Sequence, residues 1–365
     1  MKRFAGIVLI ICMVLALAGC QGGNSAGTAD SSAGSSSSDS SSDESATVQV
    51  FAMDTYMEMT AYGENAQAAL DEIAEEIEAL DALLSVTDED SEVYALNNSG
   101  GEETAVSDVV ISLILFTQTI SEETGGALDI TVYPVVRAWG FTTDDYSIPD
   151  DDEIEALLEN VDESLIEVDT EAGTVILPDG MEMDLGSVVK GYACSIAEDI
   201  LAEYGVEHAL LNLGGSTISL VGTKTDGSSW RIAIQDPEDD SSYAGVLECS
   251  DVTIDTSGGY ERYFTDDDGN VYWHIIDPET GCPADSGLIS STIVCSDSTA
   301  GDALSTACFV MGLEGTIDYW RTYGGFDFIL ITEDHEIYIS EGIADNFTPL
   351  YDYEKAELTV VCEDE

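Results

Sequence analysis

The sequence predicts an α+β fold, a single large domain in which mixed sheets are flanked by helices. Three observations point there. Helical and strand-type patterns interleave irregularly along the chain, unlike the regular alternation of a doubly wound parallel sheet. Several strand-type runs in the second half follow one another in hairpin-like pairs. From residue 47 to 365 the composition is globular, without an internal repeat or a second low-complexity linker, which is enough chain for one large domain or two interlocked lobes.

Residues 64–85 place Leu70, Ile73, Ile77, Leu80 and Leu84 at helical spacing. A more apolar helix over 108–126 ends at Gly125 and Gly126, where GGALDITVYPVVRAWGF (125–141) reads as a helix stop, a strand and a proline turn. Further helices are expected over 151–161 and over 186–205, the latter stopping at Gly205. Strand-type runs follow: HALLNLG, TISLVG, WRIAIQD, GVLECS, VTIDTSGG, VYWHIID and LISSTIVCS. STAGDALSTACFVMG (298–312) then reads as a helix burying Ala, Cys, Phe and Met along one side, and FDFILIT as a last strand.

The 365 residues carry 74 Asp and Glu against 9 Lys and Arg, a net charge of -65. Such a surface repels nucleic acid and anionic headgroups and excludes both as electrostatic partners. Lys2 and Arg3 precede an apolar run from Phe4 to Ala18 that closes on LAGC (17–20), too short and wrongly flanked for a stable span, so residues 1–19 read as an export signal. LAGC resembles the lipobox of bacterial lipoproteins, which implies cleavage before Cys20, acylation of Cys20 and a lipid anchor on the extracytoplasmic face of the bacterial cell membrane. An ordinary secretory signal with an incidental cysteine is the alternative. Residues 20–46 then read as a Ser/Gly-rich flexible tether. Cys194, Cys249, Cys282, Cys295, Cys308 and Cys362 form no C-x-x-C pair or Cys/His ligand spacing, which weakens zinc and iron–sulfur readings and leaves disulfide pairing open.

Four stretches hold more glycine and polar residues than packing needs, the first of them GGALDITVYPVVRAWGF, with Asp129 beside the paired glycines and Arg137 before an aromatic pair. In MDLGSVVKGYA (183–193) a Gly-bearing loop with Asp184 leads into a helix whose second turn holds Lys190, suited to an anion or equally to an ordinary cap. In HALLNLGGST (208–217) a strand runs into paired glycines, as a hairpin turn also would. YWHIIDPETGCP (272–283) sets His274 at a strand end with Asp277 and a glycine turn behind it. On the helix beginning at Ser298, Asp302, Ser305 and Thr306 fall on one face; their oxygens suit magnesium, while Ser298 or Thr299 suits an N-cap and Asp302 the positive end of the dipole. Arg137, Lys190, Arg231 and Arg262 lie within or beside these stretches, as if a phosphate compound with a divalent cation were to receive them.

Together with MDTYMEMTAYG (53–63), LSVTDEDSEVYALN (84–97), WRIAIQDP (230–237) and TSGGYERYF (256–264), these stretches resemble, in family order over nearly all of 47–345, the FAD:protein FMN transferases of the ApbE family. The resemblance implies one catalytic domain, 47–365, with a flavin cleft between two interlocked lobes. It implies an enzyme that, with Mg2+, moves FMN from FAD onto a Thr or Ser hydroxyl of an exported acceptor protein and releases AMP. Carried over, the metal set is Ser187 through its carbonyl, Asp302 and Thr306, with Ser305 near them. Flavin and adenylate contacts fall on Met53, Ala127, Leu128, Asp129, Asp184, Lys190 and Ile276. Proton transfer falls on His274 or a nearby carboxylate such as Asp277. Two positions depart from the family: Asp54 stands where Gly is common, and Thr87 where some members have Tyr. An FAD pyrophosphatase giving FMN and AMP, or a non-catalytic FAD-binding lipoprotein, are the alternative activities.

Overall fold

The structure, a computed structural model, describes residues 44–143, 145–350 and 358–363. The export signal, Cys20 and most of the tether lie outside the described residues. In chain order the elements begin with β1 (Ser45–Ala52), β2 (Thr55–Tyr62), α1 (Ala66–Leu84), α2 (Glu92–Asn97), β3 (Thr104–Ala105), α3 (Asp108–Thr124), α4 (Tyr133–Ala138) and α5 (Asp151–Leu158). β4 (Glu167–Asp169), β5 (Thr174–Ile176), α6 (Val189–Glu203), β6 (His208–Leu213), β7 (Thr217–Val221), β8 (Trp230–Asp236), β9 (Asp239–Cys249) and β10 (Val252–Gly258) follow. The remainder are β11 (Tyr263–Thr265), β12 (Val271–Trp273), β13 (Leu288–Cys295), α7 (Ser298–Tyr323), β14 (Phe326–Thr332), β15 (Ile337–Ser340), β16 (Phe347–Pro349) and β17 (Leu358–Val361). No helix among the described residues is long and apolar enough to cross a membrane.

A nine-stranded sheet in the order β1-β2-β6-β7-β10-β13-β14-β15-β17 organises the molecule. Its pairs are antiparallel except β15–β17, so the sheet is mixed. Strand alternation serves two cores. Phe326, Phe328 and Leu330 of β14 face a large cluster with Leu70 and Ile73 of α1, Leu201 of α6 and Phe309 of α7. Ile329 and Ile331 face the other way, against Ile232 and Ile234 of β8 and Leu247 of β9 in a second sheet, β16-β9-β8. Helices therefore cover one face of the large sheet and a small sheet the other. Burial on both faces is why β14 reads as a continuous apolar run from Phe328 to Ile331.

Several local expectations are corrected. Ser45 and Ala46 belong to β1, not to the tether: they pair with Tyr62 and Ala61, and main-chain pairing needs no apolar side chain. The strand expected after Gly126 is a short 3-10 turn, Ile130–Val132, running into α4, with Pro134 near the helix start, where its missing amide costs nothing. Helix α6 begins at Val189, so Lys190 stands in its first turn. Helix α7 continues past Gly312, which breaks it locally at φ 72°, and its N-cap is Asp297, which accepts from the Ala300 amide at 3.0 Å.

Candidate active site

The crossing of α6 and α7 brings the first polar group together. A Cβ at Gly191 would lie 2.1 Å from the Ser298 carbonyl oxygen, so only glycine lets these helices approach this closely. At that crossing the Gly191 amide donates to Asp302 Oδ2 at 2.9 Å, and Lys190 Nζ pairs with Asp302 Oδ1 at 3.4 Å. Asp302 is therefore buried in the second turn, not spent on the dipole. The Gly191 amide would otherwise bond the carbonyl four residues back, that of Ser187; among the described residues no hydrogen bond reaches that carbonyl.

The same helix α7 also meets β10. Ser257 Oγ lies 2.8 Å from Ser305 Oγ and 3.1 Å from Thr306 Oγ1. Two residues earlier Asp255 is fully buried, with the hydroxyl of the facing Thr217 as its side-chain hydrogen-bond partner. Burial, reinforced by the Asp302 charge, holds its pKa well above the usual carboxylate range. A Cβ on Gly301 would stand 2.2 Å from Asp255 Oδ2, so Gly301 makes the room this acid occupies.

Lys190 and Arg262 share a second neighbourhood with Asp184 and His274. Burial raises the Asp184 pKa, and the charges of Arg262 and Lys190 partly oppose that. Asp184 accepts from the Gly186 amide at 2.8 Å, which shapes the loop into α6. The His274 amide donates to the Arg262 carbonyl at 3.0 Å, and His274 Nδ1 faces the same oxygen at 3.3 Å. A carbonyl only accepts, so Nδ1 carries the proton and Nε2 keeps its lone pair. Burial, followed by the positive charges of Arg262 and Lys190, pushes the His274 pKa down to about 4.

At the β1–β2 turn Met53 and Asp54 have φ of 51° and 63°, a conformation that Asp adopts more readily than most residues. The Met53 amide is held by Asp81 Oδ1 at 3.0 Å, and Asp54 reaches Arg262 at 3.6 Å. Beside them lies a cleft of about 420 Å³ lined by Phe141, Tyr146, Arg262 and Tyr263 as well as Asp54. Thr87 is exposed and bonded to Ser85, within its own turn.

Other expected residues have structural duties. Asp129 caps the 3-10 turn, accepting from the Thr131 amide at 2.7 Å and from the Glu163 amide at 3.1 Å, so its carboxylate is committed. Asp277 accepts from the Glu279 amide at 2.9 Å and the Thr280 hydroxyl at 3.2 Å, which assigns both of its oxygens to the turn behind His274. Leu128 is core, Ala127 is half-buried after the left-handed Gly125 and Gly126, and Ile276 packs with Trp139 and Phe141. The four cations do not converge as a set: Arg137 is paired with Glu182, and Arg231 with Glu248 on the second sheet. Asp255 and Ser257 were not singled out by sequence reasoning. An acid inside the strand run VTID was the available signal for the first.

The model of the ApbE family matches residues 53–330. The FAD:protein FMN transferase of Treponema pallidum is 33% identical over 295 residues, 76% of this chain and 81% of that protein. That of Klebsiella pneumoniae is 32% identical over 277 residues, 75% and 85% of the two chains. Among solved structures, the ApbE protein of Thermotoga maritima superposes with a TM-score of 0.76 at 31% identity, over 82% of this chain and 98% of that one. The flavin transferase ApbE of Vibrio cholerae gives 0.71 at 27% identity, over 86% and 98%. Fold and polar cleft together define an enzyme of the flavin-transferase class. The chain belongs to the ApbE family.

Proposed function

We propose that the protein transfers the FMN half of FAD to a Thr or Ser hydroxyl of an exported acceptor protein and releases AMP. The setting of His274 carries this reading. It is a neutral imidazole with Nε2 open, in the field of the two cations, Lys190 and Arg262, that suit a diphosphate. The acceptor hydroxyl attacks the FMN-side phosphorus in line, its proton passes to His274 Nε2, and the bond to the bridging oxygen breaks as AMP leaves. The arriving diphosphate offsets the two cations, which raises the basicity of His274 when a base is needed.

Asp302, the Ser305 and Thr306 hydroxyls and the Ser187 carbonyl are hard oxygen donors that fit magnesium, which typically takes one or two carboxylates and completes its shell with substrate phosphates. Among the described residues no group of three or more His, Cys, Asp or Glu is arranged to hold a metal. The protein's share of the shell is thus mostly uncharged. Bound there, the ion would neutralise charge on the diphosphate. Asp54 stands where it competes with phosphate for Arg262. The leader and Cys20 support a lipid-anchored enzyme at the extracytoplasmic face of the cell membrane, acting on an equally exported partner.

Incubation with FAD, magnesium and a Thr-bearing peptide tests the reading. Covalent flavin on the peptide supports it; AMP without covalent flavin makes the protein a pyrophosphatase; no turnover leaves an FAD-binding lipoprotein. Asp302→Ala is expected to lower magnesium-dependent labelling by about a hundredfold or more, the scale of losing a charge-stabilising group. Near-normal labelling by that variant would refute the metal assignment.

A further inference from the structure

β11 and β12 form a two-stranded ribbon of their own, outside the large sheet. Its register is fixed at both ends: the Asp266 amide donates to the Asn270 carbonyl at 3.0 Å, and the His274 amide to the Arg262 carbonyl at 3.0 Å. Facing residues of an antiparallel pair alternate between bonded and non-bonded. Arg262/His274, Phe264/Tyr272 and Asp266/Asn270 are thus the bonded pairs. Tyr263/Trp273 and Thr265/Val271 are the non-bonded ones. The amides and carbonyls of Tyr263 and Thr265 therefore point away from β12. Among the described residues no hydrogen bond reaches either main-chain group of Tyr263.

That edge borders the cleft beside the histidine, because Arg262 and Tyr263 line it together with Phe141, Tyr146 and Asp54. We propose that the outer edge of β11 is the docking site of the acceptor polypeptide, which adds as a third, extended strand and thereby presents its Thr or Ser to His274. The proposal deepens the flavin-transfer reading and rests on it. A polypeptide is the occupant because the edge offers a repeating donor and acceptor pattern that only another main chain matches along its length. Facing side chains of an antiparallel pair share a face, so Arg262 and His274 project together, and so does the guest residue opposite Arg262. The guest backbone then lies two strand spacings from that of His274, roughly 9.5 Å. An imidazole from one side and a β-hydroxyl from the other fill such a gap. Asp54 and Glu261 at the same cleft disfavour acidic residues beside the acceptor hydroxyl.

The probe is a library of randomised dodecapeptides with one fixed central Thr, incubated with the full chain, FAD and magnesium, and read by the mass of covalent FMN. On a labelled member, N-methylation of successive amides should abolish labelling at alternate positions only. Added peptide should slow hydrogen exchange at the Tyr263 and Thr265 amides. Thr265→Pro, which deletes an outward amide not used by the ribbon, should lower kcat/KM for the peptide about tenfold, the worth of one or two main-chain hydrogen bonds. Thr265→Ala, at an exposed position outside the cleft lining, should retain it, and FAD binding measured by flavin fluorescence should be unchanged in both. Labelling of wild type with no period of two in the methyl scan, or with no protection at Tyr263, overturns the docking edge while leaving flavin transfer intact. A wild-type enzyme that labels no peptide and only makes AMP overturns the transfer reading and this one with it.

Discussion

A histidine whose pKa is pushed down to about 4 stays neutral across the physiological range, and that decides what His274 can do. In the proposed reaction it would accept a proton and not serve as a standing cation for phosphate, a role that would fall to Lys190 and Arg262. The sign follows directly. The neutral form is present above about pH 4 and is lost as acidification carries the pH through that value, so the acid limb of kcat/KM for FAD should fall near 4, not near the ordinary 6.5. A limb at 6 or above, read from a full pH profile, would show that burial and the two cations do not govern this ring. His274→Ala should lower kcat by about 10² to 10⁴. Residue types at the site were legible in the sequence, but their commitments were not. Asp129 and Asp277 look like free carboxylates until their turns are built, and each then proves to be holding backbone amides. Asp184 and Asp302 remain near Lys190 because the chain folds two distant helix starts against each other.

Between elements the decisive contact is the wedge of α7 between α6 and β10, which two glycines permit. Gly191 admits the Ser298 carbonyl, and Gly301 admits the Asp255 carboxylate. Gly301→Ala should destabilise the fold by about 1 to 3 kcal/mol through overpacking, measured as a drop in the urea midpoint. Adding Asp255→Ala should recover most of that loss, since it removes both the clash and a carboxyl that burial disfavours. If the two losses simply add, the contact between these residues is not what makes glycine necessary. The long helices α1 and α3 were readable from periodicity, as were β13 and β14 from apolar runs. α2 and α4 were not, each having only six residues and too few turns to show a period. The β1–β2 hairpin was hidden for another reason: its turn uses Met53 and Asp54 in the left-handed region, without the glycine that usually marks it.

At the scale of the whole molecule, 74 acids against 9 basic residues give a strongly negative field that opposes the approach of a dinucleotide. Screening should therefore help: raising ionic strength from about 0.01 to 0.3 M, where the Debye length falls from about 30 Å to below 8 Å, should increase the association rate of FAD severalfold. Stopped-flow quenching of flavin fluorescence checks this, and a rate that falls with salt would mean that Lys190 and Arg262 dominate the long-range field. The α+β class and mixed sheet were readable from the order of patterns; the stacking of helices, large sheet and small sheet was not, because nothing local reports which face of a doubly buried strand meets which layer. The large sheet also interleaves early and late strands, β2 beside β6 and β10 beside β13, so that Asp54, Lys190, Ser257, His274 and Asp302 come from segments far apart in the chain. Flavin affinity at the proposed site would therefore depend on early and late segments folding against each other, and each bound dinucleotide would by mass action favour the molecule in which they have done so.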